Sequence, residues 1–164
     1  MSRCGDVSKG GKRMQAVHRE LVVYDLEASS AEEAIRVLGG RLFDGGYVRD
    51  TYTDAVVARE RDYPTGLQLK TVGIAMPHTT GAHVIIPAVC VARLRQPIEF
   101  SHMGDGSIKV QAEMLFMMAI KDPNDQLKTL QSMMAVFGDD EALGALLSAR
   151  DEDELYQEAK VYIG

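Results

Sequence analysis

Val72-Gly73-Ile74-Ala75-Met76-Pro77-His78 is the stretch on which the reading of this chain turns. Val72 to Ala75 are small or β-branched and apolar, the composition of a short strand. Pro77 ends the ladder, because it has no N–H to give and its fixed φ sets the angle at which the chain leaves the sheet. His78 is thereby placed at a strand end, where clefts of α/β sheets open. Thr79, Thr80 and Gly81 follow, and offer hydroxyl and backbone N–H donors to an oxyanion. No aspartate or glutamate occurs between Thr71 and Arg95. That gap suits a group carrying about two negative charges, since a neighbouring carboxylate would repel it.

Working outward, Glu20 to Tyr24 reads as a strand. Ser30 opens a helix, with Glu33 at the capping-box spacing. Ala34, Ile35, Leu38 and Leu42 supply its apolar face, Gly39-Gly40 weaken its middle and Gly45-Gly46 stop it. A second helix is expected over 53–61, with Ala55, Val56 and Ala58 inward, before the turn Pro64-Thr65-Gly66. From Ala88 to Leu94 the sequence is nearly all apolar, the mark of a buried central strand. Ile108, Val110, Ala112, Met114 and Phe116 alternate as a strand with one face inward. Asp122-Pro123 caps a helix whose stripe is Leu127, Leu130, Met134 and Phe137 and which Gly138 closes. Helices over 139–148 and 151–162 complete the chain, the last with Asp151 and Glu154 at capping-box spacing. The expectation is one α/β domain over 18–164, a single mixed β-sheet with helices on both faces in three layers, after a basic, glycine-rich leader over 1–17.

The chain has 164 residues and a net charge of −6. That length suits one domain, and the negative balance speaks against non-specific nucleic-acid binding. Two cysteines, Cys4 and Cys90, make no disulfide framework and point to a reducing cytoplasm. No apolar run is long enough to span a membrane, and no secretory signal follows Met1. No cofactor is called for. Phosphate-cradling glycine loops, zinc-protease motifs, paired CxxC and nucleophile elbows are all missing from the sequence.

The chemistry therefore rests on histidine. Of the four, His78 stands at the strand end, and His18 and His102 read as surface residues. The residues alone leave two readings of His78 open: a structural hydrogen-bonder or a nucleophile. A metal site built on His78 and His83 is poorly supplied, since no carboxylate or thiol lies near, and no metal is expected. Met114, Met117, Met118, Met133 and Met134 read as core. Met76 reads as a candidate for an adaptable docking rim.

The hexapeptide Gly73 to His78 resembles the active-site signature of the fructose/mannitol/nitrogen-regulatory class of phosphotransferase-system IIA domains. Upstream, Ala58-Arg59-Glu60-Arg61 and Thr65-Gly66 resemble the Arg-Glu and Thr-Gly elements of that class. Downstream, Pro97-Ile98-Glu99-Phe100 and the run from Asp122-Pro123 to Leu130 are similar as well, so the likeness covers residues 20 to 162. Tyr63-Pro64-Thr65-Gly66-Leu67, Gln126-Leu127 and His83, five residues after His78, resemble the galactitol-type branch. The mannitol and fructose branch has a histidine where Gln126 stands.

The resemblance implies a phosphohistidine carrier. His78 would accept a phosphoryl group on Nε2 from phospho-HPr, with Nδ1–H held by a hydrogen bond. It would pass the group to a cysteine of a IIB component, which serves a membrane IIC that takes up a sugar or polyol. His83 or Gln126 would contact the phosphate or His78, Thr79 and Thr80 would be modest donors, and Arg59 and Glu60 would buttress the loop by a charge-assisted hydrogen bond. A regulatory relative, signalling to protein partners, would share the histidine; a pure interaction domain would have lost its chemistry.

Overall fold

A computed structural model describes residues 17–163. The elements, in order, are β1 (Val22–Leu26), α1 (Ala31–Asp44), α2 (Tyr52–Asp62), β2 (Gly66–Gln68), β3 (Gly73–Ala75), β4 (Ala88–His102), β5 (Asp105–Ala119), α3 (Pro123–Phe137), α4 (Asp140–Ser148) and α5 (Glu152–Tyr162). β1 pairs parallel with β4, β4 antiparallel with β5, β5 parallel with β3, and β3 antiparallel with β2. β2 then returns to the far end of β4, where Gly66 faces His102. The sheet is mixed, as expected, and both of its faces are covered.

The period-two alternation of the long strands sorts the core into two layers. Cys90 and Ala92 of β4 and Leu115 and Met117 of β5 pack with Ile35, Leu38, Leu42, Tyr52 and Val56 of the first two helices. Val89, Val91, Met114, Phe116 and Met118 pack on the other face with Met133, Phe137, Leu143, Leu146 and Leu155 of the last three. Sheet and helices thus make the expected three layers.

Several local expectations are corrected. The first strand begins two residues later than Glu20, because residues 19–21 form a turn of 3-10 helix. Val17, assigned to the leader, is buried in the second layer; the rest of that leader, with Cys4, lies outside the described residues. α2 buries Tyr52, Val56 and Val57 and leaves Ala58 exposed. The stripe of α3 is rotated by about one residue: Thr129, Met133, Val136 and Phe137 are buried, while Leu127 is 55% and Met134 44% exposed. Ile108 is also exposed, near the hairpin end of β5, and from Met114 onward that strand is covered on both faces. No helix among the described residues is long and apolar enough to cross a membrane.

The helix starts follow their caps. Ser30 Oγ accepts from Glu33 N–H at 3.1 Å, Asp122 Oδ1 from Asn124 N–H at 2.7 Å, and Asp151 Oδ1 from Glu154 N–H at 2.9 Å. Gly39-Gly40 do not interrupt α1. Gly39 lies where α1 meets α2, and a Cβ there would stand 2.1 Å from Thr53 Oγ1. Gly40 faces open space. Gly39→Ala is expected to cost about 1–3 kcal/mol through overpacking, whereas Gly40→Ala gains about 0.5–1 kcal/mol of helix propensity. Urea unfolding of the two variants checks the contrast.

Candidate active site around His78

His78 sits just past β3, at the end where β3 and β5 run parallel. Its segment is stitched to β5: Met118 N–H donates to Pro77 O at 3.1 Å, and His78 forms a parallel bridge with Met118. Met118 is held in turn, since the buried Tyr52 hydroxyl donates to its carbonyl at 2.7 Å.

The imidazole is half-buried. Its Nδ1 lies 2.8 Å from Met76 O. A carbonyl can only accept, so Nδ1 carries the hydrogen, and in the neutral ring the free lone pair belongs to Nε2. Burial lowers the pKa of His78, and the nearby Arg59 guanidinium lowers it further, against an upward pull from the Met76 hydrogen bond. The ring is therefore neutral at pH 7.

Met76 is fixed from its other side by Thr65. Met76 N–H donates to Thr65 Oγ1 at 3.2 Å. The Thr65 hydroxyl donates to Glu60 Oε1 at 2.8 Å, and Thr65 N–H to Glu60 Oε2 at 2.8 Å. Burial pushes the Glu60 carboxyl up to about 7, although both Thr65 hydrogen bonds and Arg59 pull it down. Beyond His78, Gln126 Nε2 donates to Thr79 O at 3.0 Å and ties the loop to the first turn of α3. Gly81 lies so close to the end of β5 that a Cβ would stand 1.8 Å from Lys121 O.

Residues 15–160 match the family model described as "Phosphoenolpyruvate-dependent sugar phosphotransferase system, EIIA 2". The chain belongs to this family. The galactitol-specific EIIA component of Escherichia coli K12 is 29% identical over 101 residues, 62% of this chain and 67% of that protein. The mannitol-specific IIA component of Bacillus subtilis is 28% identical over 145 residues, 87% of this chain and 94% of that one. Among solved structures, IIA mannitol from Escherichia coli aligns with a TM-score of 0.71 at 26% identity, over 87% of this chain and 97% of that one. The same Escherichia coli domain in complex with phosphorylated IIB aligns with a TM-score of 0.70 at 25% identity, over 87% and 95%.

Within this EIIA domain the residues singled out in the sequence fare differently. Arg59 does not pair with Glu60 by a hydrogen bond. Its Nε is buried without a hydrogen-bond partner, and its guanidinium stands over the Tyr63 ring at 5.1 Å while acting electrostatically on His78. Glu60 does buttress the loop, through Thr65. Gln126 meets a backbone carbonyl, not the imidazole. His83 Nδ1 lies 2.7 Å from Thr51 Oγ1, and its carbonyl accepts from Arg49 N–H at 2.8 Å. Thr79 is buried and Thr80 exposed. Met76 is fully buried and belongs to the core, not to a docking rim. His18 and His102 are half-buried, each with one buried ring nitrogen lacking a hydrogen-bond partner. Thr65 reads in the sequence as a turn and as part of the Thr-Gly resemblance, but with no role at the site; its signals are that resemblance and a hydroxyl beside an apolar strand.

The two shifted groups act on stability with opposite signs. An unfolded His78 takes up its proton near 6.5, above its folded value, so stability from this group falls as pH drops below about 6.5. An unfolded Glu60 ionises near 4.5, while in the fold it keeps its proton to about 7, so its contribution falls as pH rises between those values. Glu60→Gln should therefore gain stability relative to the parent as pH is raised from 4.5 to 7, as read by urea unfolding at a series of pH values. A constant difference between the two would contradict the raised carboxyl.

Proposed function

We propose that His78 is the phosphoryl acceptor of this EIIA domain, taking the group from phospho-HPr and handing it to a cysteine of a IIB component. The observation that carries the reading is the hydrogen bond from Nδ1–H to Met76 O, which leaves Nε2 as the basic, neutral nucleophile. In the first step the Nε2 lone pair forms a bond to phosphorus, and the P–N bond of the donor phosphohistidine breaks with its electron pair returning to the donor ring. In the second, a IIB thiolate attacks phosphorus, the Nε2–P bond breaks, and His78 is again a neutral imidazole. Nδ1 keeps its hydrogen throughout.

The protein's task is positioning and charge stabilisation, as in phosphoryl transfer generally. Arg59 supplies the positive charge near His78. The exposed Thr80 offers a weaker donor, and Gln126 and the buried Thr79 hold the loop in register. His83, hydrogen-bonded to Thr51, is the second histidine of the segment that follows β3. A carrier must release what it binds, and a half-ionised Glu60 near Arg59 tempers the guanidinium's hold. The IIB partner is supported by the mannitol-type relative solved with phosphorylated IIB. The galactitol-like character rests on Gln126 and His83 and on the galactitol-specific relative. In this reading the domain works in the cytoplasm, with membrane passage left to IIC.

The test is incubation with labelled phosphoenolpyruvate, enzyme I and HPr. Acid-labile, base-stable label is expected on the parent and not on His78→Ala; equal label on both would overturn the assignment. Arg59→Met should slow acceptance by about 100-fold, the size of losing one preorganised charge partner, in a quench-flow time course. Discharge by a galactitol-type IIB faster than by a mannitol-type IIB would bear out the branch.

A further inference from the structure

The nucleophile's aim depends on where the Met76 carbonyl points, and nothing in His78 itself sets that direction. Met76 follows directly on the short strand β3. Its N–H is taken by a side chain, Thr65 Oγ1 at 3.2 Å. Thr65 is 3% exposed and comes from the turn before β2, one of very few buried polar residues among those described. It meets Glu60 twice, through its N–H and its hydroxyl, each at 2.8 Å. A hydroxyl has one hydrogen to give, and here it goes to Glu60, so the oxygen's lone pairs are left for Met76 N–H. The orientation of Thr65 is thus dictated by the carboxyl of Glu60.

We propose that Thr65 is a positioning residue for phosphoryl acceptance: with its hydroxyl directed by Glu60, it fixes Met76 so that the Met76 carbonyl holds His78 in the Nδ1–H form. The inference rests on His78 being the acceptor, and extends that reading to a residue that touches neither phosphate nor imidazole. Three elements converge on the device: α2 gives Glu60, the turn before β2 gives Thr65, and the end of β3 gives Met76. The charged group acting on Glu60 is Arg59, its neighbour on α2. Thr65, which meets Glu60 from the turn before β2, and the Met76 amide, which meets Thr65 just past β3, do not titrate. A proton on Glu60 turns its two charge-assisted hydrogen bonds from Thr65 into weaker neutral ones and loosens the device. Acceptance should therefore strengthen as Glu60 ionises through neutral pH.

The experiment uses the whole chain with Thr65→Val, Thr65→Ser and Glu60→Gln. Two readouts are taken: the ring-nitrogen NMR shifts of His78 in the unphosphorylated protein, and the rate of labelling from phospho-HPr against pH. The parent should show one tautomer, hydrogen on Nδ1. Thr65→Val, close in shape but without the hydroxyl, should give a mixed ring population and accept roughly tenfold more slowly, the weight of about one hydrogen bond. Thr65→Ser should restore both. Glu60→Gln should lose the rise in rate across neutral pH. If Thr65→Val and Glu60→Gln keep the parental tautomer, the proposal is overturned, even where melting temperature has dropped. Absence of label on the parent would sink His78 as acceptor, while the ring shifts would still decide for or against Thr65 as the residue that sets the tautomer.

Discussion

A single hydrogen bond, His78 Nδ1–H to Met76 O at 2.8 Å, is what the rest of the site is arranged around. It turns an ambiguous imidazole, with two chemically similar nitrogens, into a ring with one defined nucleophilic position. The bond is worth only about 1 kcal/mol in stability, and so would be easily lost if its acceptor moved. The surroundings keep the acceptor still. Met76 is buried, its N–H is taken by Thr65, and the next carbonyl, Pro77 O, is taken by Met118 N–H. The sheet supplies rigidity at the one place where the chain leaves regular structure, and Pro77 removes the donor that would have continued the ladder.

Electrostatics complete the arrangement. Burial holds His78 neutral and keeps Glu60 partly protonated, and Arg59 favours the uncharged ring while it pulls the carboxyl toward ionisation. The site at rest thus carries about one positive charge, opposed by a carboxyl that is ionised only part of the time. In the proposed carrier role, such a balance would attract an incoming phosphoryl group without trapping it. An apolar residue at position 60 would leave the guanidinium unopposed and Thr65 without its acceptor.

Four of the five described strands and the histidine were legible in the sequence because each is a local pattern; β2, only three residues long, was hidden behind the turn signal Pro64-Thr65-Gly66. The continuous apolar run from Ala88 marks a strand covered on both faces, and Pro77-His78 marks a strand end. The helix caps were legible for the same reason, being set by residues three apart. The face of α3 was not, since Leu127 and Met134 are as apolar as the residues that replace them in the core. Their exposure is decided by how the helix rolls on the sheet. Met76 looked like a rim residue from its place beside His78, but a strand's alternation sends it inward. Arg59, Thr65 and Gln126 meet His78 or its neighbours from other elements, and the distances that give them meaning exist only once the layers have packed.

Gly81 carries a consequence for the proposed exchange of a phosphoryl group between two partners. With Lys121 O pressed against it, the loop after His78 has no room to shift toward β5, and Gln126 closes off movement at Thr79. In that exchange, a surface fixed in this way would show the same outline to whichever molecule delivers the group and to whichever removes it. Mutual shape adjustment is then left to the visitors, which must each bring a contour that fits one unchanging mould. Two unrelated proteins that trade through such a mould are driven to resemble each other where they touch it, whatever their folds elsewhere.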